Sequence, residues 1–309
     1  MINVKEKNDK LARRHKKIRS VISGTEKKPR LNVSFFIEKL KFSWPFALSM
    51  LFTNIFFNFD KIFISLIKND YQLGLYAVSV TFVSFLITII SVFAIVFFNL
   101  FSKYSFKEQV VPIFNKFLKL AMLISFPIFF GGLLLSKEII TLVFGVEFIL
   151  GAASFSLLLF FFLLMSINIV FSHYLFAHNL EKYMLKVRGI STGVNIVLNI
   201  LFIPFFGIVG AAITTIFSEL INFFFVYRRV KQNISFVFFS PLLRIFASSI
   251  IMLFFIYIFK YFIKIRFFNN SFDVLFIIGI CGLLYLVCLF IFKVISIKEI
   301  KETISSFRS

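Results

Sequence analysis

From Ser43 onward the sequence returns eight times to an apolar run close to the roughly 20 residues that an α-helix needs to cross a bilayer. The runs fall at about 43–67, 73–102, 114–136, 152–178, 188–203, 207–228, 241–263 and 273–295. Helices follow from the solvent, because hydrocarbon offers no partner for backbone N–H and C=O groups and a helix satisfies them internally. The stretch Glu138 to Leu150 is apolar but too short to span, so it is expected at the outer interface or as a re-entrant piece. The predicted fold class is therefore an all-α integral membrane protein with eight transmembrane helices. Composition points the same way: 60% of residues are hydrophobic and 16% charged, where a soluble domain carries about 25% charge. The 51 Phe residues are read as lipid-facing and core positions.

The net charge of +20 would suit a nucleic-acid binder if it lay on one soluble surface. Its distribution argues for topology instead. With the amino terminus inside, inner segments carry 27 Lys/Arg and outer segments carry 5, which are Lys68, Lys137, Lys260, Lys264 and Arg266. That asymmetry predicts both termini on the cytoplasmic side of the cell membrane, with Lys260, Lys264 and Arg266 as the discordant outer cluster.

Residues 1–41 hold 13 Lys/Arg against 4 acids and no apolar signal-peptide core, and are read as a basic cytoplasmic arm. Its end places Val33, Phe36, Ile37 and Leu40 at helical spacing, as expected for a helix lying on the membrane surface. Residues 42–230 hold the first six of the apolar runs, and 231–309 the last two with a cytoplasmic tail.

Enzymatic signatures are missing from the sequence. His173 and His178 are five apart and do not share a helix face as metal ligands four apart would, and His15 belongs to the arm. No P-loop, nucleophile elbow or paired catalytic carboxylates occur, so neither an enzyme nor a bound cofactor or metal is expected. Cys281 and Cys288 are too far apart along one helix, about 10 Å, to pair with each other.

Three stretches are familiar as sequence. WPFALSMLFTNIFFNFDKIFISLIKNDYQLGLY (Trp44 to Tyr76), LSKEIITLVFGVEFILGAASFSLL (Leu135 to Leu158) and VNIVLNILFIPFFGIVGAAITTIFSEL (Val194 to Leu220) resemble the second lobe of polysaccharide flippases. These are the Wzx-type transporters of the MOP superfamily, which also holds MATE exporters and lipid II flippases. The resemblance implies two six-helix lobes in a whole transporter, of which this chain looks like the carboxy-terminal one plus an extra helix pair. It implies alternating-access translocation of a lipid-linked oligosaccharide, a polyprenyl-diphosphate glycan. The implied partners are that lipid-linked glycan, membrane lipids and a second lobe, either a separate protein or another copy. A drug or metabolite exporter of the same superfamily and a non-transporting membrane subunit remain the alternatives.

Polar residues within the spans are the candidate site, because each is costly in lipid. Asn54, Asn58 and Lys61 make one stripe at spacings of four and three, read as lining a cavity where Lys61 suits a diphosphate. Asp60 is read as structural or coupling, bonding within the lobe. Thr215, Glu219 and Asn222 share a face, and Ser191, Asn195 and Asn199 share another on the preceding helix. The two faces are expected to meet across a hairpin turning at Pro204 to Gly207, with Asn195 nearly level with Glu219. Glu219 is either an interhelical hydrogen-bonding group or a substrate- or ion-coupling one. Asn195 and Glu219 are expected to face outward, toward a second lobe. Pro127, followed by Gly131 and Gly132, marks a place where its helix can bend.

Overall fold

The computed structural model describes residues 33–104, 107–260 and 270–294. The basic arm with His15, the side chains of the surface lead-in, Lys264, Arg266 and the tail beyond Val294 lie outside the described residues. Backbone contacts divide the chain into two compact units, Met1–Ala47 and Leu48–Ser309. In the first, the described part is the opening of helix α1, with Trp44 and Phe46 exposed.

In chain order the helices are α1 (Val33–Ile67), α2 (Asp70–Lys103), α3 (Lys107–Leu134), the short α4 (Ser136–Phe144) and a 3₁₀ helix (Val146–Gly151). Then come α5 (Ala152–Ala177), α6 (Glu181–Asn233), α7 (Phe239–Ile258) and α8 (Asn270–Ile291). Seven of them are long and apolar enough to cross a membrane. At 53 residues, α6 would be about 80 Å long if straight, far beyond a bilayer of roughly 30 Å. It is instead two antiparallel arms. Gly207 breaks the helical backbone at φ 56°, ψ −134°, a region open to Gly and strained for other residues. Across the arms Tyr183 Oη donates to Phe225 O at 2.8 Å and Ser191 Oγ to Ser218 O at 2.7 Å, a register that only a hairpin produces. With α6 doubled back, the described residues hold eight segments long and apolar enough to cross, which fits the eight expected.

The helices extend several residues past the apolar runs that announce them; α3 begins at Lys107 rather than 114, and α6 runs from Glu181 to Asn233. Hydropathy marks only the part of a helix in hydrocarbon, while the backbone stays helical until capped. Asn69 caps α2, its Oδ1 accepting from Gln72 N at 2.9 Å. Asn179, at φ 58°, closes α5 in the left-handed conformation, with Leu180 N bonding back to Leu175 O at 3.0 Å. Helix α3 continues through Pro112 and Pro127, and the 138–150 stretch forms α4 and the 3₁₀ helix, neither long enough to span.

Helix α5 is the centre of the larger unit. Apolar on all sides and the most buried of the long helices, it packs against α2, α3 and α6. Close approach of α2 is set at Gly151, where a Cβ would stand 2.8 Å from Leu75 O. Stacked rings fill the α3 and α5 side: Phe97 on Phe117 at 4.4 Å and Phe114 on Phe171 at 5.6 Å. Helix α7 lies on α3 and α8 on α7. From Leu48 on, α1 joins this body through side chains, with Phe56 and Phe57 against Phe161 and the Thr192 hydroxyl donating to Phe52 O at 3.2 Å. Cys281 and Cys288 are buried thiols, not a disulfide.

Candidate functional site

Among the described residues two carboxylates, Asp60 and Glu219, lie in the core of the larger unit, and the polar side chains around them include the candidates Asn195, Asn199 and Asn222. Glu219, on the second arm of α6, is fully buried. Its Oε2 accepts from Arg188 Nη1 at 3.2 Å, and its Oε1 accepts from Asn168 Nδ2 at 2.5 Å and Asn222 Nδ2 at 2.9 Å. Arg188 is itself 6% exposed and stands over the Phe56 ring at 5.8 Å. A buried ion pair with its remaining lone pairs occupied is the arrangement in which such a charge is tolerated.

Asp60, 3% exposed, points from α1 into the bundle. Tyr76 Oη donates to its Oδ2 at 2.8 Å and Asn199 Nδ2 to its Oδ1 at 2.5 Å, while the Thr215 hydroxyl lies 2.8 Å from Oδ2 and from Ala211 O. No cationic group is within ion-pair distance of Asp60 among the described residues. Three neutral donors from α2 and both arms of α6 therefore converge on one α1 carboxylate. Asn199 also donates to Asn195 Oδ1 at 3.1 Å and accepts from the Thr214 hydroxyl, which extends the network along the hairpin. Asn195 Nδ2, Asn168 Oδ1 and Asn222 Oδ1 are buried without a partner.

Asn54 and Asn58 lie on the opposite, exposed face of α1, with Lys61 half-buried beside them. Each amide donates to the carbonyl four residues back, Asn54 to Met50 O and Asn58 to Asn54 O, both at 2.9 Å, and Lys61 Nζ lies 3.5 Å from Asn58 Oδ1. The stripe is thus pre-aligned and open, and it turns away from Asp60 although Lys61 is next in sequence.

The expectation that Asn195 and Glu219 face outward is corrected. Asn195, Asn199, Glu219 and Asn222 are all fully buried, because α5 covers that side of the hairpin and contributes Asn168. Periodicity tells which residues share a face, not which neighbour covers it. The partner of Glu219 is also not Asn195 but Arg188, the first residue of the run predicted at 188–203. Two signals for these partners stood in the sequence. Asn168 is the one amide in the mostly apolar Ala152–Ala177, and Arg188 continues the Ser191, Asn195, Asn199 spacing backward by three. Tyr76 had no such signal.

The histidines serve locally: the Nδ1 of His173 lies 2.8 Å from Ile169 O and that of His178 2.9 Å from Tyr174 O. No group of three or more His, Cys, Asp or Glu side chains is gathered for a metal among the described residues. The discordant Lys260 pairs with Glu138 Oε1 at 2.7 Å and donates to Leu134 O at 2.7 Å.

Comparison with known proteins gives a fold and a family match over part of the chain. Residues 17–154 match the polysaccharide biosynthesis protein family. Over 116 residues the chain is 33% identical to the "Probable low-salt glycan biosynthesis flippase Agl15" of Haloferax volcanii, covering 38% of this chain and 25% of that protein. Among solved structures, the lipid II flippase MurJ in an inward closed conformation superposes with a TM-score of 0.72 at 22% identity, covering 86% of this chain and 56% of that one. An outward-facing multidrug resistance MATE family transporter of the MOP superfamily gives 0.54 at 18% identity, over 81% of this chain and 61% of that one. The chain spans a quarter of the curated relative and a little over half of the solved structures. The chain is a multi-pass membrane protein with the fold of a MOP-superfamily transporter, and somewhat under half of it, residues 17–154, is similar to the polysaccharide biosynthesis protein family.

Proposed function

We propose that this chain is part of a flippase that moves a lipid-linked oligosaccharide, a polyprenyl-diphosphate glycan, from the cytoplasmic to the outer leaflet of the cell membrane. The observation that carries the reading is the family match at residues 17–154 on a flippase-like helical body. Both termini are on the cytoplasmic side in this reading, as the 27 to 5 distribution of Lys/Arg favours.

A polar headgroup crossing hydrocarbon needs a hydrated path, and the exposed Asn54, Asn58 and Lys61 stripe is the wall this chain contributes to it. Lys61 meets the diphosphate as a point charge. A second lobe covers the stripe from the other side. Behind that wall the Glu219 cluster fixes the hairpin against α5, and Asp60 is the coupling group. A buried carboxylate held by neutral donors alone can exchange a proton or a monovalent cation as the helices move, whereas Glu219 is bound to Arg188.

The test is flipping of a fluorescent polyprenyl-diphosphate glycan in liposomes containing the whole transporter. Lys61→Gln with Asn58→Ala should lower the rate at least about tenfold, the effect of losing a charge-assisted phosphate contact, with thermal stability unchanged. An unchanged rate would remove the stripe from the path.

A further inference from the structure

The end of the bundle that carries Arg228, Arg229 and Lys231 holds a cavity of about 290 Å³. Its lining comes from four places: Val110 of α3, Tyr174 and His178 at the end of α5, Leu180 before α6, and Arg229, Asn233 and Ile234 at the end of α6. No carboxylate is in that lining. The Arg229 Nε is buried without a partner. The rest of its guanidinium is only loosely held, with Nη1 3.5 Å from Gln232 Oε1 and the group 5.5 Å from the Tyr183 ring. Topology alone requires a number of cations on this side, each of which solvent could hydrate; it does not require a guanidinium N–H shut away beside a cavity.

We propose that this cavity is a phosphate site, occupied by the phosphodiester headgroup of an anionic phospholipid. An acceptor-only ligand suits what lines the space: the guanidinium fork of Arg229 can donate, and so can the hydroxyl of Tyr174, which the Asn233 side chain already holds by a hydrogen bond. Lys182, Lys186, Arg228 and Lys231, exposed or half-exposed on the same arms, supply an attractive field around it. The source is a lipid because exposed apolar side chains stand on α6, in the connection after it and at the start of α7. Phe224, Val237 and Phe239 are each more than half exposed and offer a surface to acyl chains. This site is separate from the flippase reading and stands whether or not the chain transports anything.

The experiment uses the full chain in nanodiscs of phosphatidylcholine, with or without phosphatidylglycerol, and counts by native mass spectrometry the lipid retained after transfer to detergent. Phosphatidylglycerol should stay bound to the unaltered protein and phosphatidylcholine should not. Arg229→Gln should lower retention about tenfold or more, whereas Arg228→Gln, one residue outside the lining, should lower it by no more than the roughly fivefold expected of any cation near the surface. Asn233→Ala gives a second reading if Arg229→Gln fails to fold. Equal losses for Arg228→Gln and Arg229→Gln would mean diffuse attraction and overturn the site. Inorganic phosphate at millimolar concentration that displaces the lipid completely would confirm the phosphate chemistry but assign the cavity to the free ion.

Discussion

Replacing Glu219 by Gln takes one negative charge out of a fully buried cluster and leaves Arg188, 6% exposed, facing an amide. The carboxylate now accepts from three donors on two helices; the amide can accept with one atom only, and its NH₂ must be turned toward Arg188, Asn168 or Asn222. Removing one member of a buried pair costs about 3–5 kcal/mol, because the remaining charge is uncompensated. The single variant should therefore unfold markedly earlier in thermal or denaturing-detergent titrations, with transport lost as a consequence. Arg188→Met added to Glu219→Gln should recover most of that loss, since an apolar replacement of the whole pair is often neutral. Fluorescence-detected size exclusion after a heat step measures both. If Glu219→Gln is as stable as the original chain and still loses transport, the pair is not a structural clamp and Glu219 acts on substrate or ion directly.

Gly207→Ala should lower stability by about 1–3 kcal/mol in the same assay, since φ 56° with ψ −134° is strained for Ala and its Cβ would stand 2.9 Å from Gln72 Oε1. Asp60→Asn should abolish the response of flipping to an imposed proton or monovalent-cation gradient; a retained response would make the Tyr76, Asn199 and Thr215 clasp purely structural. Reporter fusions at Asn69 and Val146 should read outside and those at Gln109 and Asn233 inside, and two reversals among them would contradict the crossing pattern.

The crossings were legible because lipid imposes one rule on every segment, and the break in α6 was legible because Pro204 and Gly207 interrupt a run too long to span once. The place of Glu219 within an apolar run was legible too, but its burial was not. What could not be read was the third dimension around the hairpin. Nothing in helical spacing tells that α5, rather than lipid or a second lobe, covers the Asn195 and Glu219 side, and hydropathy does not tell that Arg188, at the edge of its run, is neutralised inside. Asp60 and Lys61 illustrate the same limit at shorter range. Adjacent on α1, they differ by about 100° around the helix, so one enters the core while the other joins the exposed stripe.

The central claim is that the exposed stripe is one wall of a path completed by a second lobe. It is tested most directly by reconstituting the purified chain into liposomes at known mass per complex and following a fluorescent polyprenyl-diphosphate glycan across the bilayer, with and without an added amino-terminal flippase lobe. The account predicts no movement by a single copy of this chain and movement once the second lobe is present. A strictly monomeric sample that moves the lipid-linked glycan on its own would contradict it.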